Sequence, residues 1–384
     1  MLRTNLIKLE SRLACIQTLH RRLQSQLSVK VKVRSRDLSS CDNITTLKSD
    51  LNGESRIPSE EVIQLAFMQH GLKKTSKLIS KFSNYRENFN KFPPNYASNQ
   101  LLKIDSENEK ELHEIMSHFK APVRYAFGYG SGVFHQANYD LKVDKPQIDL
   151  IFGVNHPEHF HSLNMRQNPD HYSSMKYFGS SIVANFQEIG AGIYFNPYVN
   201  IRGHEVKYGI VSMDNLLKDL ATWNTFYLAG RLQKPVKVLK NDLTVQYWNN
   251  LNLKAAATLA KHRLQEKSPG KFSEHDFYKE ITSLSYMGDI RYLLGGENPN
   301  KIANIVENNF HNFRDYYKPI YNDVVLNNYS YLPEGYTVEN AVSRLESRIA
   351  KFSAIQTVKG IFSAGIAKSI KYAWAKKLKA MRSK

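Results

Sequence analysis

Cysteine is almost missing: Cys15 and Cys41, both near the N-terminus, are the only two thiols in 384 residues. Two thiols cannot staple a folded body, which excludes a disulfide-built secreted scaffold and fits a reducing compartment. Long apolar runs are missing too. No stretch approaches about eighteen consecutive apolar residues, so no transmembrane helix is read and any membrane attachment must be peripheral. Acid is scarce at both ends. Residues 1–36 hold nine Lys or Arg against the single Glu10, and residues 351–384 hold nine against none, so the ends account for +8 and +9 of a formal charge of +18. The middle is left near +1. The basic balance therefore belongs to the tails and says little about a nucleic-acid face on the body, and no nucleic-acid partner is expected. With 42% hydrophobic residues the chain can bury a sizeable core, and its length makes two domains the natural expectation.

What is present is organised around residues 124–154, RYAFGYGSGVFHQANYDLKVDKPQIDLIFGV. Val123 to Phe127 is β-branched and aromatic, as a buried strand requires. Gly128, Gly130 and Gly132 permit positive φ and the close backbone approach that a phosphate needs, and Ser131 adds a hydroxyl donor. Ile148 to Val154 reads as a second buried strand. Asp149 is then a charge among Ile148, Leu150 and Ile151, costly to bury unless it meets a cation, and a magnesium ion would satisfy it. The plainer alternative is a hairpin turn with a strand-end carboxylate bonded to backbone.

In chain order, residues 1–36 set Leu2, Leu6, Leu9, Leu13, Ile16 and Leu23 at helical spacing among the cations, the pattern of a mitochondrial presequence or of a basic surface helix. Residues 37–58 are polar and read as a linker. A helix opens at Ser59, and a second, Glu107 to Phe119, leads through Pro122 into the central strand. Helix, strand, turn, strand is the order of a mixed α/β domain, placed at residues 59–240. His156, His159, His161 and His171 follow the second strand; structural zinc usually recruits cysteine, and polar groups lining a nucleotide pocket, His161 among them, are the reading preferred. Gly190 to Pro197 reads as turn-rich, Val206 to Ser212 as a strand carrying Lys207, and Asp214 to about Tyr227 as a helix. Gly230 is read as a C-cap before Pro235, with Arg231 and Lys234 emerging there. Residues 241–345 are dominated by helical patterns and read as a separate helical domain, whose aromatics, such as Phe310, Phe313 and Tyr317, are assigned to its core.

In the last segment, residues 346–384, a face of Ile355, Val358, Phe362, Ile366, Ile370, Trp374, Leu378 and Met381 is flanked by Lys368, Lys371, Lys376, Lys377, Lys379 and Arg382. Basic flanks around an apolar face with Trp describe an interfacial helix on anionic lipid; a helix docked on the protein's own body has the same pattern.

The blocks GYGSGVF, QIDLIFGV, HFHSLN, NPDHYS, GAGIYFN, VKYGIVS, TWNTFYLAGRLQKPVK, LSYMGDIR and IKYAWAKKLKAMR, in that order, closely resemble the mitochondrial phosphatidate cytidylyltransferases. The resemblance runs from about residue 94 to the end. It implies a nucleotidyltransferase-fold domain with a mixed sheet, a winged-helix-like second domain, magnesium and CTP. It also implies phosphatidic acid as acceptor and a peripheral position on the matrix side of the inner membrane, in the cardiolipin pathway. Under it the turn from Gly128 through Tyr129, Gly130 and Ser131 to Gly132 would hold the triphosphate. Asp149 would hold magnesium, and Lys207 with Arg231 or Lys234 would meet the developing charge. One departure stands out. The wider nucleotidyltransferase superfamily usually has an Asp-x-Asp pair at shorter spacing, whereas seventeen residues separate Ser131 from Asp149 here and Gln147 occupies the first acid's place. Either Asp144, Glu205, Asp219 or Asp289 reaches in, or a single ion bridges the triphosphate. A non-enzymatic inner-membrane adaptor for protein import and an RNA nucleotidyltransferase are the rival functions. The oligomeric state, a homo-oligomer included, is left open.

Overall fold

The two apolar strands flanking the glycine turn do lie side by side. In the computed structural model, Tyr125–Tyr129 (β1), Ile148–Val154 (β2), Ile193–Ile201 (β3), His204–Ser212 (β4) and Lys237–Lys240 (β5) form one sheet in the order β3-β4-β2-β1-β5. The residues described are 95–134, 146–268, 270, 272–293 and 298–364, all within the unit Pro94–Lys384. The expected presequence, the linker and the helix opening at Ser59 lie outside them.

Only β2 and β4 pair in parallel; β1 is antiparallel to β2 and to β5, and β3 to β4. A parallel pair needs a crossover, supplied by helices Pro157–Gln167 (α2) and Gly179–Gln187 (α3) and then by β3. Ile148, Leu150, Ile151, Phe152 and Val154 of β2 are buried, as are Val206, Tyr208, Ile210 and Val211 of β4, as befits strands covered on both faces.

Three expectations are corrected. The segment read as turn-rich is largely strand β3. Pro197 sits where the β3–β4 register shifts between Asn196 and Val199, an irregularity on an edge strand where a missing N–H is tolerated. The helix expected to reach Tyr227 is Met213–Thr222 (α4), which stops because Trp223 turns left-handed with φ 50°. Gly230 is no C-cap; it lies inside the short helix Ala229–Leu232 (α5), where an added Cβ would stand 2.9 Å from Ser285.

Ahead of the sheet, Ser106–Ser117 (α1) is capped by Asp105, whose carboxylate accepts from the amides of Glu107 and Asn108. After β5 the chain is helical: Leu243–Lys267 (α6), Glu274–Leu284 (α7), Ile290–Leu293 (α8), Lys301–Asn308 (α9), Phe310–Tyr321 (α10) and Val338–Ala364 (α11). Helix α6 buries Leu253, Ala255, Ala256, Ala257, Leu259 and Ala260. Being apolar on more than one side, it packs against α4, α7 and α10 and serves as the central helix of this layer. Phe313 and Tyr317 are core residues, as read.

Helix α11 crosses back to the sheet. Ile355 fills the space beside Gly190, and buried Lys359 donates to the carbonyls of Gln187 (2.9 Å), Ile189 (2.6 Å) and Ile193 (3.0 Å). Burial pulls the Lys359 pKa down to about 8, against the opposing pull of Glu188. The face expected to begin at Ile355 thus starts docked on the body, while Val358 is exposed. Residues 365–384 lie outside the described residues.

Candidate active site

Register brings the first three groups together. Tyr129 pairs with Asp149 across β1–β2, and Asp149 with Lys207 across β2–β4, so three polar residues form one row over three neighbouring strands. The Asp149 Oδ1 accepts from the Tyr129 hydroxyl at 3.1 Å and from the Lys207 ammonium at 2.9 Å. Burial opposes charge on Lys207, but Asp149, followed by Tyr129, outweighs it and the lysine pKa is raised. The Tyr129 hydroxyl is raised as well, chiefly by burial. Both keep their protons at any physiological pH.

The fourth group comes from α5. The Arg231 guanidinium lies 4.1 Å from the Tyr129 ring centroid and 5.5 Å from that of Tyr227. Its Nε is buried with no hydrogen-bond partner. Helix α5 is held there by Asp219 on α4, buried beneath it. One carboxylate oxygen accepts from the Thr225 amide and hydroxyl and the Phe226 amide, and the other from the amides of Leu228 and Ala229. These five bonds fix the chain through two left-handed residues, Trp223 and Phe226. Asp219→Ala strands four buried amides, and the expected loss of stability is about 3 kcal/mol or more. Equilibrium denaturation checks it, and an unchanged midpoint would mean the 223–229 segment stands without its carboxylate.

These groups line one wall of a 610 Å³ cavity. Tyr129, Gly130, Ser131, Asp149, Lys207, Tyr227 and Arg231 form the sheet side; Lys234, Ser285, Tyr286, Asp289, Arg291, Lys301, Asn304 and Asn308 form the helical side, and Ile349, Phe352 and Ser353 of α11 close it. Five cations face two carboxylates, and one of these, Asp289, is engaged by Arg291 at 2.7 Å. The cavity is built for an anion.

Of the residues singled out from sequence, Tyr129, Gly130, Ser131, Asp149, Lys207, Arg231 and Lys234 meet here. Gly128 and Gly132 do not line the cavity. Gly130 makes the turn, with φ 82° and a carbonyl accepting from the amides of Val133 and Phe134. Gly132 is needed for close approach, since a Cβ there would lie 2.3 Å from the Gln147 carbonyl. Gly128 packs under Val133. His161 is elsewhere: fully buried, its Nδ1 is bonded to Tyr172 and its Nε2 to Gln187, and burial lowers its pKa to about 4. It is a neutral core histidine, away from the cavity lining.

The acids sort as clearly. Glu205 accepts from Gln147 at 2.7 Å, Asp219 is spent on backbone, Asp144 lies outside the described residues, and Asp289 is the second carboxylate at the cavity. Among the described residues no cluster of three or more His, Cys, Asp or Glu could hold a metal. A magnesium ion arriving with a triphosphate needs less, one or two carboxylates with phosphates and waters completing its shell. Asp149 fits that, because its Oδ2 faces the open side of Gly130, at 3.9 Å from where a Cβ would stand.

Sequence reasoning missed Tyr227, Ser285, Tyr286, Lys301, Asn304 and Asn308. The four-residue spacing of Asn304 and Asn308, one helical face of α9, was the available signal.

Lys234 is the odd cation. Its ammonium donates to the Gly230 carbonyl at 2.6 Å and the Ser285 hydroxyl at 2.7 Å, and burial, then Arg231 and Lys301, lowers its pKa well below the ordinary lysine value. A bound polyphosphate would reverse that shift. Nucleotide binding is therefore expected to take up a proton and to weaken as pH rises above the pKa of the free site. Calorimetry in buffers of different ionisation enthalpy reads the uptake, which should vanish in Lys234→Met; equal uptake in both proteins would assign the proton elsewhere.

Comparison with known proteins identifies the family. A profile of the family described as phosphatidate cytidylyltransferase, mitochondrial (Tam41/Mmp37) matches residues 112–342. The chain is 66% identical over 318 residues to the mitochondrial phosphatidate cytidylyltransferase of Saccharomyces cerevisiae, covering 83% of each protein. It is 43% identical over 223 residues to that of Schizosaccharomyces pombe, covering 58% of this chain and 56% of the relative. To the Homo sapiens protein of that name it is 41% identical over 212 residues, 54% of this chain and 46% of the relative.

Proposed function

The chain belongs to the mitochondrial phosphatidate cytidylyltransferase family, and from that premise we propose that it transfers CMP from CTP to phosphatidic acid, releasing pyrophosphate and forming CDP-diacylglycerol for cardiolipin synthesis. The observation that carries the reading is the cationic cavity itself, in which half-buried Arg231 lines the wall beside the Asp149–Lys207 row. Guanidinium and ammonium groups converging on one cavity are the donors a polyphosphate needs.

In the reaction a phosphate oxygen of the lipid forms a bond to the α-phosphorus of CTP while the bond to the bridging oxygen of pyrophosphate breaks in line. A phosphomonoester is already ionised near neutral pH, so no general base is required, and catalysis rests on positioning and charge neutralisation. Ser131 and the turn at Gly130 hold phosphate oxygens at the strand ends. Arg231, clamped on Tyr129, and Lys207, held by Asp149, present fixed positive charge to the oxygens that gain charge as pyrophosphate departs. Lys234 and Lys301 extend that field along the helical side. Magnesium bound at Asp149 with the triphosphate would neutralise the phosphates and orient them for attack.

The sheet and its crossover helices correspond in this reading to a nucleotidyltransferase domain, and the helices after β5 to the winged-helix-like part. No helix among the described residues is long and apolar enough to cross a membrane. The protein would meet its lipid peripherally, on the matrix face of the inner membrane, with residues 365–384 as a basic amphipathic contact. Full-length protein given labelled CTP, magnesium and phosphatidate vesicles should yield pyrophosphate and CDP-diacylglycerol in equal amounts. Absence of both would overturn the assignment.

A further inference from the structure

Segment 177–189 exposes four large apolar side chains. Tyr177 is 80% exposed, Phe178 58%, Ile182 51% and Ile189 47%. Phe178, Ile182 and Ile189 are spaced four and seven residues apart, so they share one stripe of α3 and its C-terminal extension, while Val183 and Gln187 face the core. Isolated exposed apolar residues need no explanation, but a contiguous stripe headed by two aromatics marks a contact surface. Its polar margin includes Lys176, paired with Asp170 and 5.5 Å from the Tyr177 ring, and Glu188, which accepts from Asn215.

Helix α11 ties this stripe to the active site. Ile349, Phe352 and Ser353 wall the cavity, and six residues on, about 9 Å along the helix axis, Lys359 is bonded to the carbonyls of Gln187 and Ile189 at the stripe's end. The described chain ends at Ala364, five residues beyond Lys359, and from residue 351 to the terminus the sequence has nine cations and no acid. An apolar, aromatic-headed stripe on a chain with such a run matches a surface that is apolar within and anionic without.

We propose that Tyr177, Phe178 and Ile182, with Ile189 at their edge, insert into an anionic bilayer and set the cavity mouth at the headgroup plane, where phosphatidic acid can enter without leaving the membrane. The inference rests on the proposed lipid substrate. Four side chains are too few for a stable dimer interface, which buries about 1,600 Å² in total, and the nine cations from residue 351 onward favour an anionic surface over a second copy carrying the same charge. The patch is separate from the tail: it is part of the folded body and fixes orientation, whereas the tail supplies attraction.

The test uses the full chain carrying Tyr177→Ser, Phe178→Ser and Ile182→Ser together, and vesicles of equal parts phosphatidylcholine and phosphatidate. Vesicle affinity should fall about tenfold or more, since three large exposed side chains lose their burial. CMP transfer to vesicle phosphatidate should fall with it, while transfer to a short-chain phosphatidate dissolved as monomers should stay at the wild-type rate. Unchanged vesicle affinity overturns the proposal. So does an equal loss on both substrates, which would make the stripe a structural element, and so does a wild-type dimer that becomes monomeric with its vesicle affinity intact. If wild-type protein turns over neither substrate, the activity assignment fails, and vesicle affinity still decides this one.

Discussion

Asp149→Asn should lower CMP transfer by about 10²–10³-fold, the range seen when a transition-state electrostatic group is removed, and leave the fold intact. Asparagine has the shape of aspartate and still offers an oxygen to the Tyr129 hydroxyl. What it loses is charge, and with it the ability to hold a dication and to fix Lys207 as its counter-ion. Lys207 would then be free to pair with the triphosphate in the ground state, where it does not lower the barrier. Stability should change little: the Lys207 and Asp149 side chains are 30% and 23% exposed, so solvent can screen the uncompensated ammonium, and a partly exposed pair is worth about 1 kcal/mol. Pyrophosphate release and thermal melting measured on the same preparation check both halves. Wild-type turnover in a folded Asp149→Asn protein would remove Asp149 from the chemistry and leave Asp289 as the cavity's acid.

The acid itself was legible, because a lone carboxylate in an apolar strand is expensive and must be explained. Its partner was not. Lys207 stands 58 residues further on and reaches Asp149 only because β2 and β4 pair in parallel in one particular register, a long-range fact that periodicity does not encode. The three glycines looked equivalent in sequence, yet one makes a positive-φ turn and two serve close packing, a distinction set by the neighbours Gln147 and Val133. His161 failed for a related reason. It lies on helix α2, and a polar residue on a helix face fits a ligand cavity or a hydrogen-bonded core equally well until Tyr172 and Gln187 are placed beside it. Strand β3 was obscured by Pro197, whose usual meaning as a strand breaker is suspended at an edge irregularity. The helical wall was the least legible part. Lys234 was read as a cation for the developing charge, but its partner Ser285 and the cations Arg291 and Lys301 come from beyond α6, brought in by helix packing that no local pattern specifies.

Arg231→Lys should cost nearly as much as Arg231→Ala, about 10²–10³-fold in turnover, although it keeps the positive charge. The guanidinium is a plane held over the Tyr129 ring at 4.1 Å with Tyr227 on another side, and that clamp fixes it in the cavity lining. An ammonium has no plane to stack and no fork to present two donors to one phosphate, so it would be placed by its own hydration instead of by the tyrosines. Because the contact is assigned to oxygens that gain charge as pyrophosphate leaves, the loss should fall mainly on kcat, with the KM for CTP shifting much less. Free guanidinium ion added to the Arg231→Ala protein should restore part of the lost rate, since the space between the two rings is left with its shape intact, whereas added alkylammonium should restore little. That contrast separates a placed guanidinium from general electrostatic attraction, and it does not depend on whether the variants are slightly less stable. Equal rescue by both ions, or a lysine variant with wild-type kcat, would reduce Arg231 to a source of positive potential and leave Lys207 as the group that meets the departing charge.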